Sequence, residues 1–324
     1  NEYVDLCLGD TGSMTGHSPK ATVKAIKKQL KRGMTAMLPT KDALAVGKDL
    51  TERFGLPLWQ FTVSATDANR HSIRYARLVT GKQKIIVIDK CYHGSVDETF
   101  ATLDESGKTI KREGNIGAPV ELSETTRVVE FNDLAGMEAA LAHGDVAAIL
   151  MEPAMTNIGI VLPEKGYLKK VGELAKKYGA VWIIDETHTI SAGVGGMTKQ
   201  LGLKPDMLTI GKSIGGGIPT GTFGMTKDVS DRIKAKVERS IVDTGGIGST
   251  LAGNALSFAA MRATLSGVLN ESNFDGNSYY QTLKNGSSLN NDFVYVQLNR
   301  MLNGPLCRIR SVVGVDKSYI LNID

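Results

Sequence analysis

From about Leu58 to Leu265 the chain alternates between short apolar runs and longer segments whose apolar residues recur every three or four positions. The short runs read as buried strands and the longer ones as amphipathic helices. Strands are expected over Leu56–Phe61, Lys84–Asp89, Arg127–Phe131, Val146–Met151, Ala180–Asp185, Met207–Ile210 and Gly221–Met225. Helices are expected over Ser18–Arg32, Lys41–Phe54, Thr66–Leu78, Asp133–His143, Gly166–Lys177, Val229–Val237 and Ala255–Leu265. Ser18-Pro19 supplies a cap and a first helical position. This alternation predicts an α/β fold around a mainly parallel sheet. Asn1–Leu8 reads as a further strand, and Asp104–Thr126, polar and without period, as a long loop. Asparagine, serine and glycine dominate from Asn270 to Asn291, which reads as a linker, with possible strands at Phe293–Leu298 and Arg308–Val313 beyond it. The expected division is an N-terminal segment 1–40, a large α/β unit 41–270 and a C-terminal segment 271–324.

Composition narrows the field. At 324 residues the chain can bury a large core, and its net charge of +4 is too mild and too dispersed to point to nucleic acid. Cys7, Cys91 and Cys307 lie far apart, giving neither a disulfide framework nor a zinc cluster. A reducing compartment, the cytoplasm, fits. No apolar run approaches the ~20 residues that span a bilayer, and no signal peptide is visible, although a chain that opens on Asn1 leaves a removed leader open. Asn270-Glu-Ser and Asn285-Gly-Ser match glycosylation acceptors, with nothing else to suggest secretion.

Candidate chemistry gathers at the ends of the strands, where open α/β sheets bind ligands. Lys212 follows the run Met207–Ile210 and Gly211, and precedes a triple glycine. Three readings compete for it: a lysine that snorkels to the surface, the tail of a phosphate-binding loop, and an amine made nucleophilic by desolvation. The second falls because the loop's first glycine would stand where Asp206 is. Asp185 ends another buried run, Ala180-Val-Trp-Ile-Ile, where a carboxylate is costly without a positive partner; a protonated pyridine nitrogen or a helix start would serve. Ser64-Ala65-Thr66 opens a helix whose N-terminus suits either an anion or an ordinary cap. Tyr92 and His93 sit at a strand edge. The tyrosine could stack on a flat cofactor or on the sheet rim, and for His93 a hydrogen-bonded structural role outweighs a catalytic one. Thr250 opens the Ala255 helix as a second anion contact. Glu186 and His188 lack the spacing of a zinc pair. Arg70 reads as a surface ion-pair residue.

Taken together, these residues resemble the class III pyridoxal-phosphate aminotransferases of fold type I, nearest the branch that includes glutamate semialdehyde aminomutase. The resemblance runs from about Tyr3 to Leu265. It implies that Lys212 is the Schiff-base lysine and that Asp185 pairs with the pyridine nitrogen. It places Thr187 and Tyr92 on the two ring faces, and Ser64, Ala65 and Thr66 in the phosphate cup, with His93 on the cofactor side. Thr250 matches the threonine that reaches the phosphate of a neighbouring subunit, which implies a homodimer with a shared site. Ala65, Asp67, Thr187 and Ala255 depart from the family's glycine, glutamate, valine and proline, and suggest an unusual substrate branch. Family members also carry a longer N-terminal arm and a C-terminal domain of on the order of 100 residues, which the last part of this chain does not match.

The expected activity is that of a pyridoxal-phosphate aminotransferase, moving an amino group between an amine or amino acid and a keto acid or aldehyde. Lys212 would shuttle the proton while Asp185 keeps the ring an electron sink. An aminomutase returning the group to the same skeleton, an epimerase, and a non-catalytic scaffold of the same fold stay open as alternatives.

Overall fold

The computed structural model describes residues 8–36, 38–237, 246–267 and 269–270, and the strands within 293–321. The expected strand Asn1–Leu8 and the expected linker fall almost wholly outside the described residues. In chain order the elements are α1 (Lys20–Leu30), α2 (Lys41–Phe54), β1 (Leu58–Thr62), α3 (Ala65–Thr80), β2 (Lys84–Ile88), β3 (Ala101–Leu103) and β4 (Thr109–Lys111). Then come α4 (Leu122–Thr125), β5 (Thr126–Val129), α5 (Leu134–Ala142), β6 (Val146–Met151), α6 (Tyr167–Tyr178), β7 (Val181–Asp185) and α7 (Gly196–Gln200). Last are β8 (Met207–Ile210), β9 (Gly221–Met225), α8 (Lys227–Lys236), α9 (Ala255–Gly267), β10 (Phe293–Asn299), β11 (Arg308–Gly314) and β12 (Ser318–Leu321).

Seven strands form one sheet in the order β1-β9-β8-β7-β6-β2-β5. The pairs β8/β7, β7/β6, β6/β2 and β2/β5 are parallel, while β9 runs antiparallel to both its neighbours. Six strands therefore share one direction, and β9 alone is reversed. The central strands are buried on both faces, as every residue of β6 and β7 is, which is why they read as unbroken apolar runs.

Period-two alternation along β8 sorts its side chains between two helix layers. Met207 joins the larger core, and Thr209 bonds to Asn69 of α3 on that face. Leu208 and Ile210 join Val46 and Leu50 of α2 and Phe258, Met261 and Leu265 of α9 on the other. Helix α3 turns Ile73, Ala76 and Val79 into the larger core. Buried Arg53 of α2 donates to the carbonyls of Leu265 and Leu269, satisfying the end of α9, and pairs with Asp49 one turn back.

Two expectations are corrected. Asp104–Thr126 is not a plain loop: it contains β4, which pairs antiparallel with β3 just before the segment, and α4, a helical turn before β5. Three-residue strands are too short to show a period. Pro19 is the N-cap of α1, in an extended conformation, rather than its first residue. Beyond residue 292, β10, β11 and β12 pair antiparallel in a separate three-stranded sheet. Among the described residues no helix is long and apolar enough to cross a membrane.

Candidate active site

The C-terminal ends of five of the six co-directional strands, all but β5, open on a cleft of about 550 Å³. Its lining includes Ser64, Ala65 and Thr66 after β1, Tyr92 and His93 after β2, Glu152 after β6, Asp185, Thr187 and His188 at β7, and Lys212 after β8. A cleft of this size suits a small organic cofactor together with a substrate. Among the described residues no cluster of three or more histidine, cysteine, aspartate or glutamate side chains could hold a metal.

Asp185 is the electrostatic centre. Only 3% of it is exposed, yet its two oxygens accept three hydrogen bonds. Asn69 Nδ2 and His93 Nδ1 donate to Oδ2 at 2.8 and 2.9 Å, and the Thr187 amide donates to Oδ1 at 3.0 Å. Burial by itself would push this carboxyl up, but the donors from His93, Thr187 and Asn69 overcome it and hold it well below the usual carboxylate range. Asp185 is therefore a fixed negative charge on the cleft wall. Asn69 is the hub behind it: its amide also donates to the His93 carbonyl at 3.1 Å, and its carbonyl accepts from Thr209 Oγ1 at 2.7 Å. Sequence reasoning missed Asn69. The available signal was a polar residue on the apolar face of α3.

Helix α3 supplies the positive end. Ser64 caps it, accepting from the Asp67 amide at 3.2 Å, which leaves the first-turn amides of Ala65 and Thr66 directed out of the helix beside the cleft. The approach of β8 to this helix start is tight. A Cβ on Gly211 would lie 2.7 Å from the Ala65 Cβ and 2.9 Å from its nitrogen, so only glycine fits there. The next residue, Lys212, adopts a left-handed φ of 50°. For a non-glycine residue that conformation costs about 1–2 kcal/mol, and strain of this kind concentrates at functional positions.

Tyr92 is 46% exposed and meets Phe100 edge-on with ring centroids 6.2 Å apart. His93 is buried with Nδ1 on Asp185, the structural hydrogen bond that its sequence context favours. Burial opposes its charge, but Cys91 and Asp185 outweigh that and raise its pKa. Thr250 is exposed and does not line the cleft. Arg70 donates to the Ser95 carbonyl at 3.0 Å instead of forming the surface ion pair expected of it.

A second polar group was not legible as such. Glu152 Oε2 accepts from the Thr156 hydroxyl, and Oε1 lies 3.4 Å from the Thr156 amide. Thr156 Oγ1 is 2.7 Å from His188 Nδ1, and His188 Nε2 contacts Lys212 Nζ. Burial pushes the Glu152 carboxyl up to about 7, and burial together with the Lys212 charge brings the His188 imidazole down to about 4.

The Glu152 shift makes a stability prediction. A carboxyl that titrates near 4.5 when unfolded and about 7 when folded binds more protons in the folded state between those values. Its contribution is full below pH 4.5 and is lost as pH rises through 7, a loss of about 3 kcal/mol. Denaturant unfolding of Glu152→Gln should lack this decline and be more stable than the unaltered chain at pH 8. Parallel pH profiles for the two proteins would contradict the assignment.

A mainly parallel sheet with one reversed strand, an anion-suited helix start, a buried aspartate and a strained lysine at one edge together define the fold type I transferase architecture. The aminotransferase class-III family profile matches residues 1–290, and the chain belongs to that family. The glutamate-1-semialdehyde 2,1-aminomutase of Anaeromyxobacter sp. (strain Fw109-5) is 32% identical over 269 residues, covering 82% of this chain and 61% of that protein. Among solved structures, a glutamate-1-semialdehyde-aminomutase from Pseudomonas aeruginosa PAO1 is 48% identical with a TM-score of 0.81, covering 83% of this chain and 60% of the other. An omega-transaminase from Sphaerobacter thermophilus is 30% identical with a TM-score of 0.75, covering 83% and 63%. The chain thus spans about three fifths of the length of these relatives.

Proposed function

We propose that this chain holds pyridoxal phosphate in the cleft and moves an amino group between two carbons of one substrate skeleton, as an aminomutase does. The observation that carries the cofactor reading is Asp185: a permanently ionised, buried carboxylate facing a cleft that also holds an amine and a helix N-terminus. The orphaned polar atoms agree, since Thr187 Oγ1 and His93 Nε2 are buried without a hydrogen-bond partner among the described residues. A flat, polar group in the cleft would give Thr187 Oγ1 one.

In this reading residues 41–270 are the cofactor-binding unit. The amides of Ala65 and Thr66 and the Ser64 and Thr66 hydroxyls would hold the phosphate, Tyr92 and Thr187 would flank the ring, and Lys212 would anchor it covalently. Asp185, buttressed by His93 and Asn69, would hold the ring nitrogen in its protonated form. When bound, the cofactor supplies an electron sink for the substrate carbon that bears the amine. Lys212 Nζ takes the proton from one carbon and returns it to another. Thr250, exposed and away from this cleft, would serve the phosphate of a second copy, making the protein a homodimer.

The 48% identity to an aminomutase supports transfer within one skeleton. Transfer between an amino donor and a separate keto acid or aldehyde is the second reading, favoured by the likeness to an omega-transaminase. Absorbance between 350 and 500 nm, before and after borohydride, with mass mapping, tests the cofactor. The expected result is a band near ~420 nm that borohydride removes, leaving the mass on Lys212. No band and no label on adding pyridoxal phosphate would end this reading. Turnover of glutamate-1-semialdehyde without an added acceptor supports the aminomutase; turnover only with a donor and acceptor pair supports the transaminase.

A further inference from the structure

The cleft contains more proton-handling groups than Asp185 and Lys212 need, and their hydrogen bonds form one directed chain. Thr156 has one hydroxyl proton, and it goes to Glu152 Oε2. Thr156 Oγ1 can then only accept from its neighbour 2.7 Å away, so His188 Nδ1 carries the proton of that bond. Neutral His188 is left with a bare lone pair on Nε2, and that atom meets Lys212 Nζ. Each donor is paired with an acceptor along the whole series, from the lysine to the buried carboxylate.

We infer that Glu152, Thr156 and His188 form a proton wire to Lys212, positioning its amine and passing its proton to and from the Glu152 carboxyl. The transfer is balanced. One Lys212 N–H bond breaks and a His188 Nε2–H bond forms. The Nδ1 proton moves to Thr156 Oγ1, whose own proton passes to Glu152 Oε2. An ammonium and a carboxylate become an amine and a carboxylic acid, every hydrogen bond reverses direction, and His188 changes tautomer without becoming an imidazolium.

The burial of Glu152 and His188 is consistent with the wire. Glu152, only 5% exposed, has its pKa raised by burial to about 7, so it can take a proton near neutrality. His188, lowered by burial to about 4, stays neutral there and can relay in both directions. The other charges facing the wire are Asp185, Asp10 and His93 around His188, and His93 and Asp185 around Glu152. None of them is altered by the test below. The use of the wire rests on the reading of Lys212 as the reactive amine, since it would keep that amine's proton inside the site.

The test uses the cofactor-free chain, so its outcome is separate from that of the spectral experiment. Trace acetic anhydride labelling of Lys212, followed by mass spectrometry across pH, gives the midpoint at which the amine becomes reactive. Removing the charge at the far end of the wire, by Glu152→Gln, should lower that midpoint by about one pH unit, a tenfold gain in labelling on its acid side. In a Thr156→Val background the same substitution should leave the midpoint unmoved, and in a Thr156→Ser background the full shift should return. Equal shifts in all backgrounds would mean a through-space charge effect and overturn the wire, as would no shift in any. A second measurement needs no variant. The ¹⁵N shifts of His188 at pH 8 should report a protonated Nδ1 and a bare Nε2. An imidazolium or the opposite tautomer would overturn the proposal independently.

Discussion

Lys212→Ala is expected to lower amino-group transfer by at least about 10,000-fold, because in the proposed reading Lys212 is both the amine that anchors the cofactor and the base that moves the substrate proton. Borohydride should then leave no mass on residue 212, although in the proposed reading the Asp185 wall and the α3 start would still bind cofactor without covalent attachment. Stability should change little. Alanine pays about the same penalty as lysine for a left-handed φ of 50°, and the removed side chain is only half buried. Denaturant unfolding within ~1 kcal/mol of the unaltered chain would therefore accompany the lost turnover. A variant that kept transfer within tenfold would remove Lys212 from the mechanism.

Asp185→Asn is the second large effect, and it acts on both binding and folding. The carboxylate offers two acceptor oxygens to three donors, from Asn69, His93 and Thr187. An asparagine keeps the shape but offers one oxygen, so its amide must face at least one donor across a buried contact. That conflict costs roughly 1–3 kcal/mol. In the proposed reading, loss of the charge would also remove the partner of the ring nitrogen, and turnover should fall by about 100- to 1,000-fold, with weaker cofactor binding in a spectral titration. Unchanged cofactor affinity together with unchanged turnover would show that the aspartate serves only the fold.

The parts of this arrangement legible in the sequence are those whose signal is local. The limits of α2, β6 and β8 coincide with the expected ones because each is a clear apolar pattern bounded by glycine or charge. Asp185 and Lys212 could be singled out for a related reason: a charge just past a short, largely apolar run is conspicuous. The β3–β4 hairpin left no such trace. Nor did the link from Glu152 to Lys212, which depends on Thr156 and His188, 32 residues apart, meeting across two loops. His188 could be tested in the sequence only against zinc spacing, since its hydrogen-bonding partners are defined by packing. Asn69 was hidden in the same way: its neighbours Asp185 and Thr209 lie 116 and 140 residues further on.

The reversed strand has a consequence for the order in which the site can form. Among the described residues, strand β1, which leads into the Ser64 cap, is joined to the sheet only through β9, with Thr62 opposite Gly221. The contact is close: a Cβ on Gly221 would come within 2.4 Å of the Ser64 carbonyl oxygen. During synthesis, therefore, the first-made strand beside the cleft must wait for the last-made strand of the sheet. A nascent chain ending just after Lys212 would already contain the aspartate, the lysine and the helix start, yet lack the strand that seats them side by side. Competence to capture a cofactor should thus arise late and in one step, when β9 slides between β1 and β8, rather than growing with each strand as it emerges.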